Sequence, residues 1–151
     1  MGEVRIEALT ELVRRRIGDA AEVRELRRLS GGANQETWSF DVEIDGSSLP
    51  LILRRTPGGA RNLAAGATGV TLEMEAKLID LASRSGVPVP AIRGVLEPDD
   101  ELGSGFLMDR IPGETIARKI LRDDEVAPVR PRLARQCGSI LAAIHGVATA
   151  D

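Results

Sequence analysis

The chain has 151 residues, of which 42% are hydrophobic and 28% are charged, and its formal net charge is −3. This length and composition are sufficient for one globular domain, or one and a fraction, with a real core. The negative charge and the scarcity of aromatic residues, with no Tyr, one Trp and two Phe, argue against nucleic acid as a partner. Proteins that bind nucleic acids use basic surfaces and aromatic stacking.

The sequence contains one cysteine, Cys137, and one histidine, His145. A single thiol excludes internal disulfides, and together with one histidine it excludes a structural zinc site, which favours a reducing compartment. No apolar stretch approaches the roughly 20 residues that a membrane helix needs, and the N-terminus lacks the apolar core of a secretory signal. We therefore expect a cytoplasmic protein with no membrane partner.

The first part of the chain predicts a helix followed by strands. From Glu3 to Ile17 apolar side chains recur at helical spacing, and Arg14–Arg16 are expected to face solvent near the helix C-terminus. Val23–Leu29 leads into a glycine turn, after which apolar and polar residues alternate from Trp38 to Ile44. This pattern predicts two strands joined by the turn.

Further signals extend the sheet and then break it. Asp45-Gly46 favours a two-residue hairpin because both residues tolerate positive φ, and Leu49–Arg54 supplies a third strand. The Gly- and Ala-rich segment 57–70 has no apolar period and predicts a loop. A helix is then expected to begin after Thr71, a good N-cap, and to end at Gly86.

The remaining residues complete an α+β fold. Ala91–Leu96 and Gly105–Arg110 predict a fourth and a fifth strand, and two helical segments follow Pro112-Gly113. Residues 1–110 are thus expected to form a five-stranded antiparallel sheet with one main packed helix, and residues 111–151 the first helices of a second lobe. The last helix carries an apolar stripe that consists of Leu133, Cys137, Ile140, Leu141 and Ile144. We expect Cys137 to be a core residue. We expect the stripe as a whole to be partly exposed, which favours self-association.

This order of parts is that of a kinase nucleotide lobe, with a glycine turn between two strands, a third strand ending in a cation, and a helix bearing a carboxylate. Gly31-Gly32 permits close approach of the backbone to polyphosphate. The only two lysines, Lys77 and Lys119, fall on predicted helices, so the phosphate-facing cation is expected to be Arg54 or Arg55. Alternation sends these two side chains to opposite faces and does not choose between them.

The same order extends over nearly the whole chain, through stretches at Leu29–Trp38, Leu51–Arg55, Glu75–Leu78, Gly86–Pro90, Gly105–Glu114 and Leu141–His145. Together these stretches resemble the aminoglycoside phosphotransferase and choline kinase-like group. Each stretch alone is a weak signal, whereas the ordered set is more specific. In the pattern of that group, Arg54 holds the position of the usual lysine.

The resemblance implies a kinase-like lobe that binds ATP and Mg²⁺ and belongs to an enzyme transferring the γ-phosphate to a hydroxyl of an unknown small molecule. The nucleotide-binding residues that it implies fall into three groups. Arg54 would contact the phosphates and Glu75 would hold Arg54, while Met108, Asp109 and Ile111 would bind adenine. The residues that would cover the phosphates are Ser30, Gly31, Gly32, Ala33 and Asn34.

Two carboxylates compete for the role of partner to Arg54. Counting back from Pro88 in the resemblance selects Glu75, and Glu73 is the alternative. The two residues are separated by roughly 200° around a helix, so only one of them can face the sheet. For adenine, main-chain groups of Asp109 and Ile111 are implied, with Met108 against the ring.

Catalysis in this group would require a His-Gly-Asp loop with a downstream Asn and a magnesium-binding Asp. The only histidine, His145, is expected at a helix end, and the acidic run Asp123–Glu125 in a loop between helices. We therefore expect the 151-residue chain to be inactive alone, with its catalytic and magnesium-binding residues beyond Asp151. The alternative is a non-catalytic nucleotide-binding or protein-interaction module that uses the lobe as a scaffold.

Overall fold

The computed structural model describes residues 4–29, 35–57 and 69–148. The chain divides into two compact units, one comprising the residues up to Asp80 with Pro90–Arg110, the other comprising Leu81–Val89 with the residues from Ile111 onward. Short 3-10 turns lie at Pro98–Asp100 and Asp124–Val126. The helices and strands are α1 (Ile6–Arg16), β1 (Glu22–Leu29), β2 (Glu36–Ile44), β3 (Ser47–Thr56), α2 (Leu72–Arg84), β4 (Ile92–Val95), β5 (Ser104–Asp109), α3 (Ala117–Arg122) and α4 (Arg130–His145).

The five strands form one sheet in the order β1-β2-β3-β5-β4, and every neighbouring pair is antiparallel. This architecture confirms the predicted α+β class. The hairpin between β2 and β3 turns at Asp45 and Gly46, whose φ angles are 50° and 74°. Positive φ at both central residues matches the twist of the flanking strands, so the predicted two-residue turn is confirmed. Most of the predicted loop at 57–70 lies outside the described residues.

One face of the sheet, which we call the α1 face, packs against α1. Leu9, Leu12 and Val13 are fully or almost fully buried there, whereas Ile6 at the start of the helix is exposed. The sequence predicts α2 as the one main packed helix. The structure adds α1 as a second helix, on the face of the sheet opposite to α2. The sheet residues in the α1 cluster are Trp38, Phe40, Val42, Leu51, Leu53 and Leu107.

The opposite face, which we call the α2 face, packs against α2. Leu72 and Ala76 of α2 are buried against Phe106, and Met108 lies at the border of this cluster. The Thr71 hydroxyl accepts a hydrogen bond from the N–H of Met74 at 3.2 Å, which caps the helix as predicted. Gly86 adopts φ 78° after the helix, so the predicted stop is confirmed as well.

The arginines at the end of α1 do not merely face solvent, as the sequence had suggested. Arg16 donates to Glu97 at 2.7 Å, and Arg15 binds Asp100. At the start of the helix, Arg5 donates to Glu101 at 2.6 Å. The 3-10 turn after β4 brings these acids beside α1, and a pairing over more than 80 positions leaves no local sequence signal.

Close approach of β3 and β5 depends on glycine. Gly105 lies opposite Arg55 in the β3–β5 register. A Cβ at Gly105 would lie 2.8 Å from the Cα of Arg55 and still closer to the carbonyl oxygen of Arg54. Gly103, at φ 88°, approaches the backbone of Thr56 in the same way. Both positions therefore require the absence of a side chain.

The second unit contains the predicted helices α3 and α4. The Glu114 carboxylate accepts hydrogen bonds from the N–H groups of Thr115 and Ile116 and from Lys119, and the bond from Ile116 contributes most to a lowered pKa of Glu114. No residue of α4 is buried within the described part of the chain. The expectation of a core position for Cys137 is therefore wrong, because its side chain is exposed.

Candidate functional site

The α2 face carries three rows of side chains, and each row runs from β2 across β3 to β5 or to Arg110, which follows β5. Strand alternation assigns these residues to the face of Phe106 and Met108, because the intervening residues join the α1 cluster. The rows follow the strand register. They are Thr37, Arg54 and Phe106; Ser39, Ile52 and Met108; and Asp41, Pro50 and Arg110.

Arg54 is held by two acceptors from different parts of the chain. Its Nη1 lies 2.9 Å from Oε1 of Glu75 on α2, and its Nη2 donates to Oε1 of Gln35 at 2.8 Å. Among the described residues these contacts engage two of the five N–H donors of the guanidinium, and the side chain is 35% exposed. A cation fixed in this way is suited to a phosphate ligand, because arginine binds phosphate oxygens with directed hydrogen bonds.

The structure distinguishes the two candidate carboxylates of α2. Glu75, which lies next to the buried Ala76, reaches Arg54, whereas Glu73 lies roughly 200° away around the helix. The lysines lie on helices, as the sequence predicts: Lys77 is exposed on α2, and Lys119 of α3 donates to Glu114 at 3.0 Å. Arg54 is thus the strand cation that faces α2.

Arg55 points to the α1 face and takes part in a buried polar network. Its Nε and Nη2 lie 2.9 Å and 2.8 Å from Oε2 of Glu36, and Nη1 donates to the carbonyl of Leu102 at 3.2 Å. Nε1 of Trp38 donates to the same carboxylate at 3.1 Å. The side chains of Arg55 and Glu36 are 5% and 4% exposed, so this network is part of the core.

The electrostatics of Glu36 reflect two opposing effects. Burial alone would raise the pKa of its carboxyl group. The hydrogen bonds from Trp38 and Arg55, with the positive charges of Arg55 and Arg28, outweigh burial and hold the pKa below its ordinary value. Glu36 is therefore an ionised core residue whose charge holds β2 and β3 together.

The residues predicted to meet adenine lie at the end of β5. Met108 is partly buried beside the α2 cluster. The Asp109 N–H donates to the carbonyl of Ala91 at 3.0 Å, and its carboxylate accepts two hydrogen bonds from Arg93 at 2.6 and 3.0 Å. The bond to Asp109 raises the pKa of Arg93. Ile111 is 66% exposed and belongs to the second unit.

The predicted phosphate loop, Ser30–Asn34, lies outside the described residues. The strands that it connects are paired up to Leu29 and Thr37. Gln35, directly after the loop, is the residue through which this end of β2 contacts Arg54. The predicted binding roles of the loop residues, of Arg54 and Glu75, and of the base-side residues stay predictions.

Several residues of this face were given no role by the sequence. Gln35 stands inside the stretch that resembles a phosphate loop, but nothing in its position indicates a contact with a strand 19 residues later. The polar alternation of β2 does mark Ser39 and Asp41 as residues of one face. Their contacts with Arg110 depend on the strand order β2-β3-β5, which the sequence does not state.

Metal and membrane signals are limited in the described ranges. Within residues 4–29, 35–57 and 69–148, no group of three or more His, Cys, Asp or Glu side chains is arranged to hold a metal ion. In the same ranges, no helix has the length and apolar content required to cross a bilayer. Asp124 and Glu125 lie in the 3-10 turn between α3 and α4.

Comparison with known proteins agrees with this architecture. The sequence model of the phosphotransferase enzyme family matches residues 25–151, which include most of β1, the other four strands and every described helix except α1. A search of curated proteins returned no significant match. Because the family match covers well over half of the chain, the chain belongs to the phosphotransferase enzyme family.

Proposed function

We propose that this chain supplies the nucleotide-binding part of a kinase-like phosphotransferase that uses ATP and transfers its γ-phosphate to a hydroxyl of a small molecule. The observation that carries the proposal is the fixed cation on the α2 face. Arg54 lies two residues before the end of the third strand, projects beside α2, and is held by Glu75 and Gln35. Family membership supports phosphoryl transfer as the chemistry.

The contacts of Arg54 fit a polyphosphate ligand. Glu75 offsets part of the positive charge and fixes the guanidinium, while a third of the side chain remains open to a ligand. Gly31-Gly32, in the loop between β1 and β2, would let backbone N–H groups approach the phosphates. When bound, ATP with Mg²⁺ supplies the phosphoryl group and neutralises its charge.

The other end of the α2 face fits a base. Ile52 is buried in the row between Arg54 and Pro50, and Met108 lies opposite it on β5. Arg93 engages the carboxylate of Asp109, so recognition by this residue would use its main chain. Base recognition by main-chain groups and apolar side chains is typical of small-molecule sites.

The chemical step needs a base for the acceptor hydroxyl and ligands for magnesium. The sequence contains no His-Gly-Asp, and its one histidine ends α4. The role proposed for this chain is therefore to bind and orient the nucleotide, with an acceptor that is a small hydroxylated or amino-bearing molecule. The single cysteine supports a reducing, cytoplasmic setting.

Calorimetric titration of the 151-residue chain with ATP and magnesium tests the proposal. We expect saturable binding and an at least tenfold loss of affinity in Arg54→Ala, since hydrogen bonds to charged groups contribute about 1.5–3 kcal/mol. Arg5→Ala is the matched control, because it removes the same charge from an exposed residue outside the sheet. Its affinity is expected to stay within about twofold of the unaltered chain.

Three results would each contradict a part of the proposal. Absence of ATP binding by the unaltered chain would exclude the nucleotide role. Equal affinities in Arg54→Ala and Arg5→Ala would exclude Arg54 as the phosphate contact. Binding of ATP without phosphoryl transfer by any longer natural form would favour the non-catalytic module instead.

A further inference from the structure

Arg110 connects the end of β5 to a strand that is not its neighbour. Its N–H donates to the carbonyl of Pro50 at 3.0 Å, which extends the β3–β5 ladder one residue beyond β5. Its side chain continues across β3: Nη1 donates to the Ser39 hydroxyl and Nη2 to Oδ1 of Asp41, each at 2.7 Å. One side chain thus links three adjacent strands on the α2 face.

The backbone at this point explains why a side-chain link has an effect. Pro50 has no N–H and cannot donate to the carbonyl of Arg110, so the last rung of the β3–β5 ladder has one hydrogen bond instead of two. The two bonds made by the guanidinium are the additional connection. Without them, the position of the chain after Asp109 would depend on a single backbone bond to β3.

The link is partly removed from solvent. Ser39 is fully buried, and the side chains of Asp41 and Arg110 are 17% and 31% exposed. An ion pair with two directed hydrogen bonds in such a setting holds its geometry better than a solvated surface pair. The contact is therefore suited to fix a main-chain position.

Arg110 and Arg54 lie at opposite ends of the same face. Pro50, opposite Arg110, precedes Arg54 by four residues on β3, a separation of about 13 Å along an extended strand. Ile52 and Met108 form the row between them. A nucleoside triphosphate with its phosphates at Arg54 would extend its base toward Met108 and Asp109.

We propose that Arg110 is a positioning residue for the base end of the nucleotide. Through Ser39 and Asp41 it helps to hold the main chain of Asp109, which pairs with Leu51 of β3 and donates to Ala91, at a fixed place, so that the base is recognised without a rearrangement of β5. This inference rests on the proposed nucleotide-binding function. Phosphate binding at Arg54 does not depend on the link, and the two ends of the ligand are separable by experiment.

The test compares two ligands, ATP and inorganic tripolyphosphate, each with magnesium, by calorimetry on the 151-residue chain. Arg110→Met is expected to weaken ATP about tenfold and tripolyphosphate less than twofold, because only the base end loses its fixed support. Arg54→Ala is expected to weaken both ligands. Asp41→Asn keeps one hydrogen bond but removes the charge, and it should give a smaller loss that is again confined to ATP.

The outcomes separate this inference from the function on which it rests. Equal loss of both ligands in Arg110→Met, or no loss of ATP, overturns the positioning role while Arg54→Ala still tests the nucleotide site. Failure of the unaltered chain to bind ATP overturns both. If thermal unfolding shows that Arg110→Met is not folded, the ATP and tripolyphosphate affinities of Asp41→Asn decide whether the positioning role holds. Arg110→Lys should restore part of the ATP affinity and leave the tripolyphosphate affinity unchanged.

Discussion

Arg54 and Arg55 are adjacent on β3, yet they have different environments on the two faces of the sheet. Arg54 contacts Glu75 and Gln35 on the α2 face, whereas Arg55 is enclosed with Glu36 in the core of the α1 face. The first is open to a ligand and the second is not. The pair of identical residues therefore divides into one candidate phosphate contact and one structural group.

Loss of the buried carboxylate of Glu36 should strongly destabilise the fold. In Glu36→Ala, Arg55 and Trp38 lose their shared acceptor, and we expect the free energy of unfolding to fall by about 3–5 kcal/mol, measured by urea denaturation. The double variant Glu36→Ala/Arg55→Met should be destabilised by less than the sum of the single changes. Additive losses would show that the pair does not act as a unit.

The same carboxylate should make stability depend on acidity. Because the folded pKa of Glu36 lies below its ordinary value of 4.5, the unfolded chain binds the proton more readily. The stabilisation is complete above pH 4.5 and decreases as the pH falls from there through the lowered pKa. Chemical denaturation across this range should give a flatter profile for Glu36→Gln.

Glu114, whose pKa is also lowered, contributes to the acid response as well. Its contribution is the same in both chains and cancels in the difference between the unaltered chain and Glu36→Gln. Parallel profiles for the two chains would exclude Glu36 as a source of acid sensitivity.

A side chain at Gly105 should disturb β3. In Gly105→Ala the new Cβ meets the backbone of Arg54 and Arg55, and we expect a loss of about 1–3 kcal/mol in thermal unfolding. Gly138→Ala is the matched control, because a Cβ there meets nothing within 4 Å and alanine favours the helix by about 0.5–1 kcal/mol. Equal stabilities of the two variants would contradict the close approach of β3 and β5.

The packing of α1 can be tested within one helix. Leu12→Ala removes a side chain that is almost fully buried in the core and should cost about 2–5 kcal/mol. Ile6→Ala, on the exposed part of the same helix, should change stability by about 0.5 kcal/mol or less. Guanidinium denaturation of both variants measures the difference. Similar losses at the two positions would mean that α1 is not docked on the sheet as described.

Much of the fold was predictable because its signals are local. Alternation in β2, positive φ at Asp45-Gly46 and the cap at Thr71 each depend on a few neighbouring residues. The partners of Arg15 and Arg16 could not be predicted in this way, since they belong to a turn that folds back from beyond β4. The exposure of Cys137 was missed because an apolar stripe indicates a face but not what covers it.

The candidate site shows the same contrast between local sequence signals and long-range contacts. The kinase-like order and the resemblance selected Arg54 and Glu75, and Nη1 of Arg54 lies 2.9 Å from Oε1 of Glu75. Gln35 and Arg110 were given no role, since their contacts cross the sheet or join residues far apart in sequence. Pairings across strands depend on strand order and register, which residue types do not encode locally.

The register of β3 decides the environment of its two arginines. A shift of β3 by one residue would exchange Arg54 and Arg55 between the two faces, and it would move Leu51 and Leu53 out of the α1 cluster at the same time. Gly105 adds a second constraint, because a Cβ at its position would meet the backbone of Arg54 and Arg55. A shift by one residue would bring Ser104 or Phe106 to that position and introduce this clash. Buried leucines and a residue without a side chain thus together specify which arginine is enclosed and which remains accessible.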